Sequence, residues 1–309
     1  MTPISPAVPG TAWFLNGIAN LQQQELQTQR ALSSGYRVND AADSPAQTPD
    51  LVRLGSSLAS VQAYQTNLSN VQAEATTADQ AIGTGISLIQ SARSLAAQGA
   101  NTTSTAATRQ TIAIQIQNIQ QQIVSIGNTA VQGRYIFGGN QDQSPPYQYD
   151  ASSATGVDVL TAQTAGRVIV NTQGQTVYQG LTAQQILGPV DATGLPTANS
   201  TLAALQSLVT ALQANDQPGI ATSLTSLQTA SSWLNQQQAY YGAAEQRLTS
   251  EQNTAANQAT ALQVQIGNIR DTNVAQAATE LTQESTNQSA ALGAEAELAN
   301  SKTLFSYLG

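Results

Sequence analysis

Two aspartates three positions apart, Asp40 and Asp43, form the carboxylate pair in this sequence whose spacing could support chemistry. A carboxylate pair can act as general acid and base, or can bind calcium through its oxygens. The neighbouring glycine, asparagine and proline favour a structural role, because such residues end helices, cap them and form turns. We therefore predict no catalytic, cofactor-binding or metal-binding residues, and we assign a hinge and capping role to six residues: Gly35, Asn39, Asp40, Asp43, Asp271 and Asn273.

The composition excludes several classes of function. The 309 residues include no cysteine and no histidine, which rules out disulfides, thiolate or imidazole ligands, and Ser-His or Cys-His catalytic pairs. Ten basic and eighteen acidic residues give a net charge of −8, which argues against nucleic acid and anionic membranes as partners. The N-terminus lacks the basic and apolar segments of a Sec signal peptide, and no run of about 18 apolar residues could span a membrane.

Long helices must position the polar segments. After residue 47, apolar or small residues recur every seven positions over about six heptads, as in a coiled coil. A second helix from about residue 105 should fold back antiparallel on the first, and a further long helix should end near residue 270. The two heptad rows are Leu54, Val61, Leu68, Ala75, Ile82, Ile89 and Ala96, and Tyr64, Val71, Ala78, Gly85 and Ala92.

The middle of the chain differs from its two sides. Short β-branched and aromatic runs separated by proline and glycine predict a small β-rich insertion. At each end of the chain, a weakly amphipathic helix is separated from the coiled coil by a polar joint. We expect a mainly α fold, with a long antiparallel coiled-coil bundle formed by the N- and C-terminal segments and a β-rich domain inserted at its tip. The predicted domains are 1–43 with 272–309 for the terminal helices, 44–133 with 200–271 for the rod, and 134–199 for the insertion.

Motifs at both ends of the chain resemble the flagellin superfamily. Ser33-Ser-Gly-Tyr-Arg-Val-Asn, followed by an Ala/Asp-rich run, is similar to its N-terminal signature. Gly242-Ala-Ala-Glu-Gln-Arg-Leu and the segment from Ile269 to Gln283 resemble its C-terminal motifs. Within the superfamily, Gly133-Arg-Tyr-Ile-Phe-Gly-Gly and the ending Thr303-Leu-Phe-Ser-Tyr-Leu-Gly resemble the hook–filament junction family more than the filament flagellins.

The resemblance implies a structural subunit of the bacterial flagellum that joins hook to filament, without enzymatic activity or a cofactor. It implies an extracellular location after export by the flagellar type III system without a cleaved signal peptide. The implied partners are other copies in a ring or tube, the neighbouring hook-associated protein, flagellin, and an export chaperone for the C-terminal helix. We assign the assembly interface to ten residues of the terminal helices: Trp13, Phe14, Ile18, Leu21, Leu281, Leu292, Leu298, Leu304, Phe305 and Leu308.

Three other functions are compatible with parts of the sequence. Filament flagellin is the main alternative, because its ends follow the same design. A type III needle-tip-like coiled-coil protein would carry apolar hairpins able to enter a membrane, and none is evident. A secreted enzyme on the insertion would require clustered carboxylates, and the insertion contains only Asp142, Asp150, Asp158 and Asp191.

Overall fold

The fold is mainly helical, which confirms the predicted class. The computed structural model describes residues 9–161, 165–171, 173–188, 197 and 200–300, with backbone alone for residues 9–12, 295 and 298–300. In the described part of the chain, two helices of more than 50 residues each flank three shorter helices and the strands. The helices are α1 (Pro9–Ser34), α2 (Thr48–Ala100), α3 (Ala106–Gly127), α4 (Ala183–Leu187), α5 (Thr201–Gln213), α6 (Gln217–Arg270) and α7 (Val274–Asn300).

In the described part of the insertion and just before it, the strands form three two-stranded antiparallel sheets. They pair β1 (Ala130–Val131) with β2 (Arg134–Tyr135), β3 (Tyr147–Tyr149) with β4 (Val157–Val159), and β5 (Val168–Val170) with β6 (Thr176–Gln179). The runs containing β2, β4, β5 and β6 were expected from their β-branched and aromatic residues. Strands β1 and β3 were not expected. Strand β1 lies in the predicted rod, before residue 134, and Pro145 and Pro146 directly precede β3 and indicate a loop.

The contacts divide the chain into two compact units. The terminal unit comprises Met1–Ala63 and Ala256–Gly309, and the central unit comprises Tyr64–Ala255. Helices α2 and α6 contribute segments to both units. The terminal unit thus extends some turns further along α2 and α6 than the predicted terminal domain. The division of the chain into functional domains stays a prediction.

The two heptad rows of α2 are buried as the periodicity predicts, with half-buried Tyr64 as the exception. Small residues on these rows let neighbouring helices approach closely. A Cβ added at Gly85 would lie 3.6 Å from the Ile126 side chain, and one added at Gly99 would lie 2.6 Å from Cδ2 of Leu212. The glycines therefore bring α2 against α3 and α5 within the central unit.

A buried arginine closes one end of the central unit. Arg109 is 6% exposed; its Nε donates to the carbonyl of Gly99 at 2.8 Å, and its Nη2 to that of Asn101 at 3.1 Å. Its Nη1 donates to the side chain of Asn215 in the turn between α5 and α6. The cation therefore satisfies carbonyls at the C-terminus of α2, where the helix dipole favours positive charge.

A single carboxylate attaches two strand pairs of the insertion to α2. Glu74 accepts from Nη2 of Arg134 at 3.0 Å and from Nη1 of Arg167 at 2.6 Å. Arg134 also lies 3.4 Å from the carboxylate of Asp142. Because the Glu74 side chain is only 14% exposed, water screens these ion pairs less than pairs at the open surface.

In the terminal unit, α1 packs against α7. The two helices are antiparallel, because Tyr36 pairs with Asp271 in an antiparallel bridge while Thr28, further from the joint, donates to Glu284 at 3.2 Å. The buried apolar side chains of this helix pair and its joint are Ile18, Ala31, Val38 and Ala277. None of the described helices combines the length and the apolar character needed to cross a membrane.

Candidate functional site

The N-terminal joint, residues 35–47, begins with a left-handed glycine. Gly35 has φ +75° and its N–H donates to the carbonyl of Ala31 at 2.9 Å, which ends α1. This backbone conformation strains any residue with a Cβ, so glycine is the expected residue at this position. The chain then turns away from the axis of α1 towards α2.

The carboxylate of Asp43 organises the next part of this joint. Its Oδ2 accepts the backbone N–H groups of Asn39 and Asp40, each at 2.9 Å. The N–H groups of Asp40 and Asn39 hold the pKa of Asp43 below its ordinary value of 3.8. Helix α2 begins only at Thr48, so Asp43 caps this turn and not the helix.

The remaining polar residues of the two joints have unequal roles. Asn39 donates from Nδ2 to the carbonyl of Tyr36 at 2.9 Å, whereas the described residues provide no hydrogen-bond partner for the Asp40 carboxylate. In the C-terminal joint, residues 271–273, the Asn273 Oδ1 accepts the N–H of Gln276 at 3.3 Å. Asn273 therefore caps α7, the geometry expected for asparagine at a helix start.

The structure brings the two joints together although they are far apart in the chain. Tyr36 and Asp271 form an antiparallel bridge. The N–H of Arg37 donates to the carbonyl of Arg270 at 2.7 Å, and the N–H of Thr272 donates to the carbonyl of Gly35 at 3.0 Å. Two of the predicted hinge residues, Gly35 and Asp271, thus belong to one paired element.

Three side chains that the sequence analysis did not select strengthen this pairing. The guanidinium of Arg270 lies over the ring of Tyr36, 3.9 Å from its centroid, and its Nε donates to Asp271 at 3.0 Å. The Nη2 of Arg37 donates to the carbonyl of Ile269 at 2.5 Å and to the side chain of Gln47 at 2.8 Å. The adjacent pairs Tyr36-Arg37 and Arg270-Asp271 carry no local signal that would reveal partners more than 200 residues away.

The first four predicted assembly residues lie together on α1. Trp13 is 84% exposed, Phe14 and Leu21 are half-buried, and Ile18 is buried. With Gly17 and with Ala291 of α7 they line an open apolar groove of about 540 Å³. Large exposed aromatic side chains beside an apolar groove are typical of protein interaction surfaces.

The other predicted assembly residues belong to the C-terminal segment. Leu281 is half-buried on α7, and Leu292 is 48% exposed. Leu298 lies in α7, but its side chain is outside the described part of the structure. The last three predicted residues, Leu304, Phe305 and Leu308, also lie outside the described residues.

The geometry offers little support for catalysis. A polar cleft of about 470 Å³ adjoins the joints, but its two aspartates are engaged, Asp43 by backbone N–H groups and Asp271 by Arg270. In the insertion, Asp142 pairs with Arg134, and Asp150 accepts from the N–H of Ser152 at 2.9 Å. Among the described residues, no group of three His, Cys, Asp or Glu could hold a metal ion.

Comparison with known proteins places both ends of the chain in one family. The bacterial flagellin N-terminal helical region matches residues 12–142, and the bacterial flagellin C-terminal helical region matches residues 224–308. Flagellar hook-associated protein 3 of Salmonella typhimurium is 22% identical over 179 residues, covering 57% of this chain and 56% of that protein. The protein of the same name from Escherichia coli is 23% identical over 203 residues, covering 64% of this chain and 63% of that protein. The alignments thus span less than two thirds of each relative.

Solved structures show the same fold. One from Vibrio parahaemolyticus, described as a flagellar hook-associated protein, matches with a TM-score of 0.63 at 18% identity. The match covers 74% of this chain and 100% of that one. The FlgL protein of Bacillus cereus matches with a TM-score of 0.55 at 18% identity, over 70% of this chain and 99% of its own.

Proposed function

The chain belongs to the bacterial flagellin family, and from this premise we propose that it is the structural subunit that joins the flagellar hook to the filament. Two relatives named hook-associated protein 3 support the junction role over that of a filament subunit. In this proposal the terminal helices associate with those of other copies in a ring or tube.

One observation carries the assembly role of the terminal helices. The antiparallel pair α1·α7 leaves Trp13 at 84% exposure beside the apolar groove on α1. Placing a tryptophan in water forgoes a large hydrophobic stabilisation, of about 25 cal/mol for each Å² of apolar surface. A neighbouring subunit that covers the groove would recover this free energy, which supports Trp13 and Phe14 as assembly residues.

The proposal also names the neighbouring proteins and the export route of this subunit. The proposed neighbours are another hook-associated protein on the hook side and flagellin on the filament side. The proposed route is export through the flagellar type III system without a cleaved signal peptide, with a chaperone on the C-terminal helix, to an extracellular location at the hook–filament junction. The proposed subunit has no enzymatic activity, which is supported by the engagement of Asp43 by backbone N–H groups, of Asp271 by Arg270 and of Asp142 by Arg134.

Deletion of the encoding gene followed by electron microscopy of the cell surface tests the proposal. A junction subunit predicts cells with hooks but no filaments, and flagellin monomers shed into the medium. Loss of the filament protein itself would instead identify the chain as flagellin. Normal filaments on deleted cells would contradict a role in either structure.

A further inference from the structure

The described strands of the central unit do not form a common sheet. They pair as β1–β2, β3–β4 and β5–β6, and each sheet has two strands. The longest of these strands, β6, has 4 residues. Two-stranded pairs of this size are marginal in water unless another element supports them. The strand pairs therefore depend on side chains from the neighbouring helices.

Two of the strand pairs share a charged attachment to α2, which we name the ionic anchor: Glu74, Arg134 and Arg167. Arg134 lies in β2, and Arg167 directly precedes β5. Both guanidinium groups donate to Oε1 of Glu74, so two like charges lie close together with one carboxylate between them. Without that carboxylate the two arginines repel each other, and only Arg134 keeps a second acidic partner, Asp142.

The third strand pair has a neutral attachment to the end of α3, which we name the amide anchor: Asn128 and Tyr147. Nδ2 of Asn128 donates to the carbonyl of Tyr147 at 2.7 Å, and its Oδ1 accepts the N–H of Tyr147 at 3.0 Å. The side chain thus pairs with the backbone of β3 as a neighbouring strand does. Near the turn of the same strand pair, Nε2 of Gln120 donates to the carbonyl of Thr155 at 3.4 Å. All of these bonds join uncharged groups.

Apolar contacts with the helices also differ between the two attachments. Phe137, which follows β2, packs edge-to-face against Tyr241 of α6, with ring centroids 6.5 Å apart. Tyr147 of β3 lies against α3 instead, because a Cβ added at Gly127 would lie 3.2 Å from its ring. Leu187 of α4 approaches the same glycine, so the two attachments adjoin each other. They are nevertheless held by different helices.

We propose that the insertion is docked on the helices by two independent anchors, so that high ionic strength loosens β1–β2 and β5–β6 but leaves β3–β4 in place. The side chains of Arg134 and Arg167 are 41% and 34% exposed, so mobile ions can reach both guanidinium groups. Salt therefore weakens their attraction to Glu74, whereas hydrogen bonds between uncharged groups have no net charge to screen. One surface of the insertion thus responds to the surrounding salt, and the other does not.

Hydrogen exchange on the purified full-length chain, followed by mass spectrometry, tests the two anchors. Residues 130–136 and 167–171 report on the ionic anchor, residues 147–159 report on the amide anchor, and each exchange rate is divided by that of residues 106–119 in α3. Raising NaCl from about 0.1 M to about 1 M shortens the screening length from about 10 Å to about 3 Å, and the ratios at the ionic anchor should rise at least about threefold. The ratio for residues 147–159 should stay within about 1.5-fold of its starting value, because that anchor is uncharged.

Substitutions separate the two anchors at constant salt. Glu74→Gln should raise the two ratios at the ionic anchor by about threefold to tenfold, because it leaves both arginines without their shared carboxylate, and should abolish their salt response. It should leave the ratio for residues 147–159 unchanged. Asn128→Ala should raise that ratio alone by a similar factor, because the two hydrogen bonds to Tyr147 are lost.

Two matched controls keep the chemistry of these substitutions but lie away from the anchors. Asp50→Asn replaces an exposed carboxylate of α2 that pairs with Arg53, and Asn118→Ala replaces an exposed asparagine of α3. Both should leave all three ratios at the values of the parent protein.

Three results would overturn the proposal. The first is an equal rise of all three ratios in Glu74→Gln or in Asn128→Ala, which would show that the insertion opens as one cooperative domain. The second is a salt response at the ionic anchor that persists in Glu74→Gln. The third is the absence of a salt response in the parent protein, a measurement that requires no substitution and so stands even if a variant fails to fold. These results are independent of whether deleted cells lose their filaments.

Discussion

The central and terminal units of this protein differ in how completely they bury their apolar side chains. The largest fully buried side chains all lie in the central unit: Tyr147, Tyr241, Phe137, Leu68, Ile82, Ile89, Ile116, Ile123, Ile186, Leu187, Leu202 and Leu205. Among the described side chains of the terminal unit, the best-buried apolar residues, Val61 and Ala277, keep 4% exposure. The central unit therefore contains a packed core of its own.

The exposed apolar residues show the opposite distribution. Most of the large exposed apolar side chains belong to the terminal unit, namely Trp13, Leu15, Leu26, Tyr36, Val52, Val264, Val274 and Leu292. Apolar burial is the main favourable contribution to folding, so a unit that leaves this surface in water has less stability of its own. The difference teaches that the packed core is concentrated in the central unit, whereas the terminal unit leaves more of its large apolar side chains in water.

The largest expected effect contrasts one leucine from each unit. Leu205→Ala should lower the free energy of unfolding by about 3 kcal/mol, because Leu205 is fully buried and its loss leaves a cavity. Leu26→Ala, at a site 55% exposed, should change it by less than about 0.5 kcal/mol. Urea unfolding followed by far-UV circular dichroism, which reports on the helices of both units, measures both effects. Equal effects would contradict the contrast between the units.

Arg109 tests whether the central unit also depends on buried polar contacts. Arg109→Ala should cost about 2 kcal/mol of unfolding free energy, because it leaves the carbonyls of Gly99 and Asn101 without their donors. Arg109→Lys should recover only part of this, since an ammonium cannot reach both carbonyls and Asn215 in the same planar geometry. The exposed Arg53→Ala is the control for loss of one positive charge. A tolerated Arg109→Ala would show that water replaces the guanidinium.

Trp13 tests whether the exposed surface of the terminal unit serves assembly. Trp13→Ala should change the unfolding free energy of the monomer by less than about 0.5 kcal/mol, because the side chain is largely in water. If the groove is the assembly interface, the same substitution should weaken self-association by at least about tenfold, as loss of a central aromatic contact does. Sedimentation of the assembled protein measures this, with the exposed Val264→Ala as a matched variant outside the groove. Unchanged assembly would remove Trp13 from the interface.

The smallest expected effect concerns the pH dependence of the N-terminal joint. The pKa of Asp43 is lowered in the folded state from its ordinary value of 3.8 by the N–H groups of Asp40 and Asn39. A lowered carboxyl pKa stabilises the fold above the unfolded value, and this contribution disappears as the pH falls through the folded pKa. Proteolysis of the joint should therefore differ between Asp43→Asn and the parent protein at pH 6 and converge below pH 3.8. If the difference in proteolysis between Asp43→Asn and the parent protein stays the same over this pH range, the carboxylate is not its cause.

Much of the fold follows from periodicity along the chain. The heptad rows of α2 predict which residues are buried, and the observed helices α3 and α6 occupy segments expected from the sequence. The pairing of the two joints could not be predicted in this way, because Tyr36 and Arg270 meet only when the chain has returned through α6. Arg109 was missed for a similar reason, since its partner Gly99 lies at the end of α2 and its partner Asn215 lies in the turn between α5 and α6.

The sequence by itself determined the helical class, the register of the heptad rows, the resemblance of both ends to flagellins, and the polar joints as interruptions of helix. These properties depend on residues close together in the chain, where spacing and turn-forming residues act directly. Only the tertiary structure decided that the two joints pair with each other and that Asp43 caps a turn and not a helix. It also decided that Glu74 binds both Arg134 and Arg167. Such contacts depend on the folded path of the backbone, and local sequence patterns carry no record of that path.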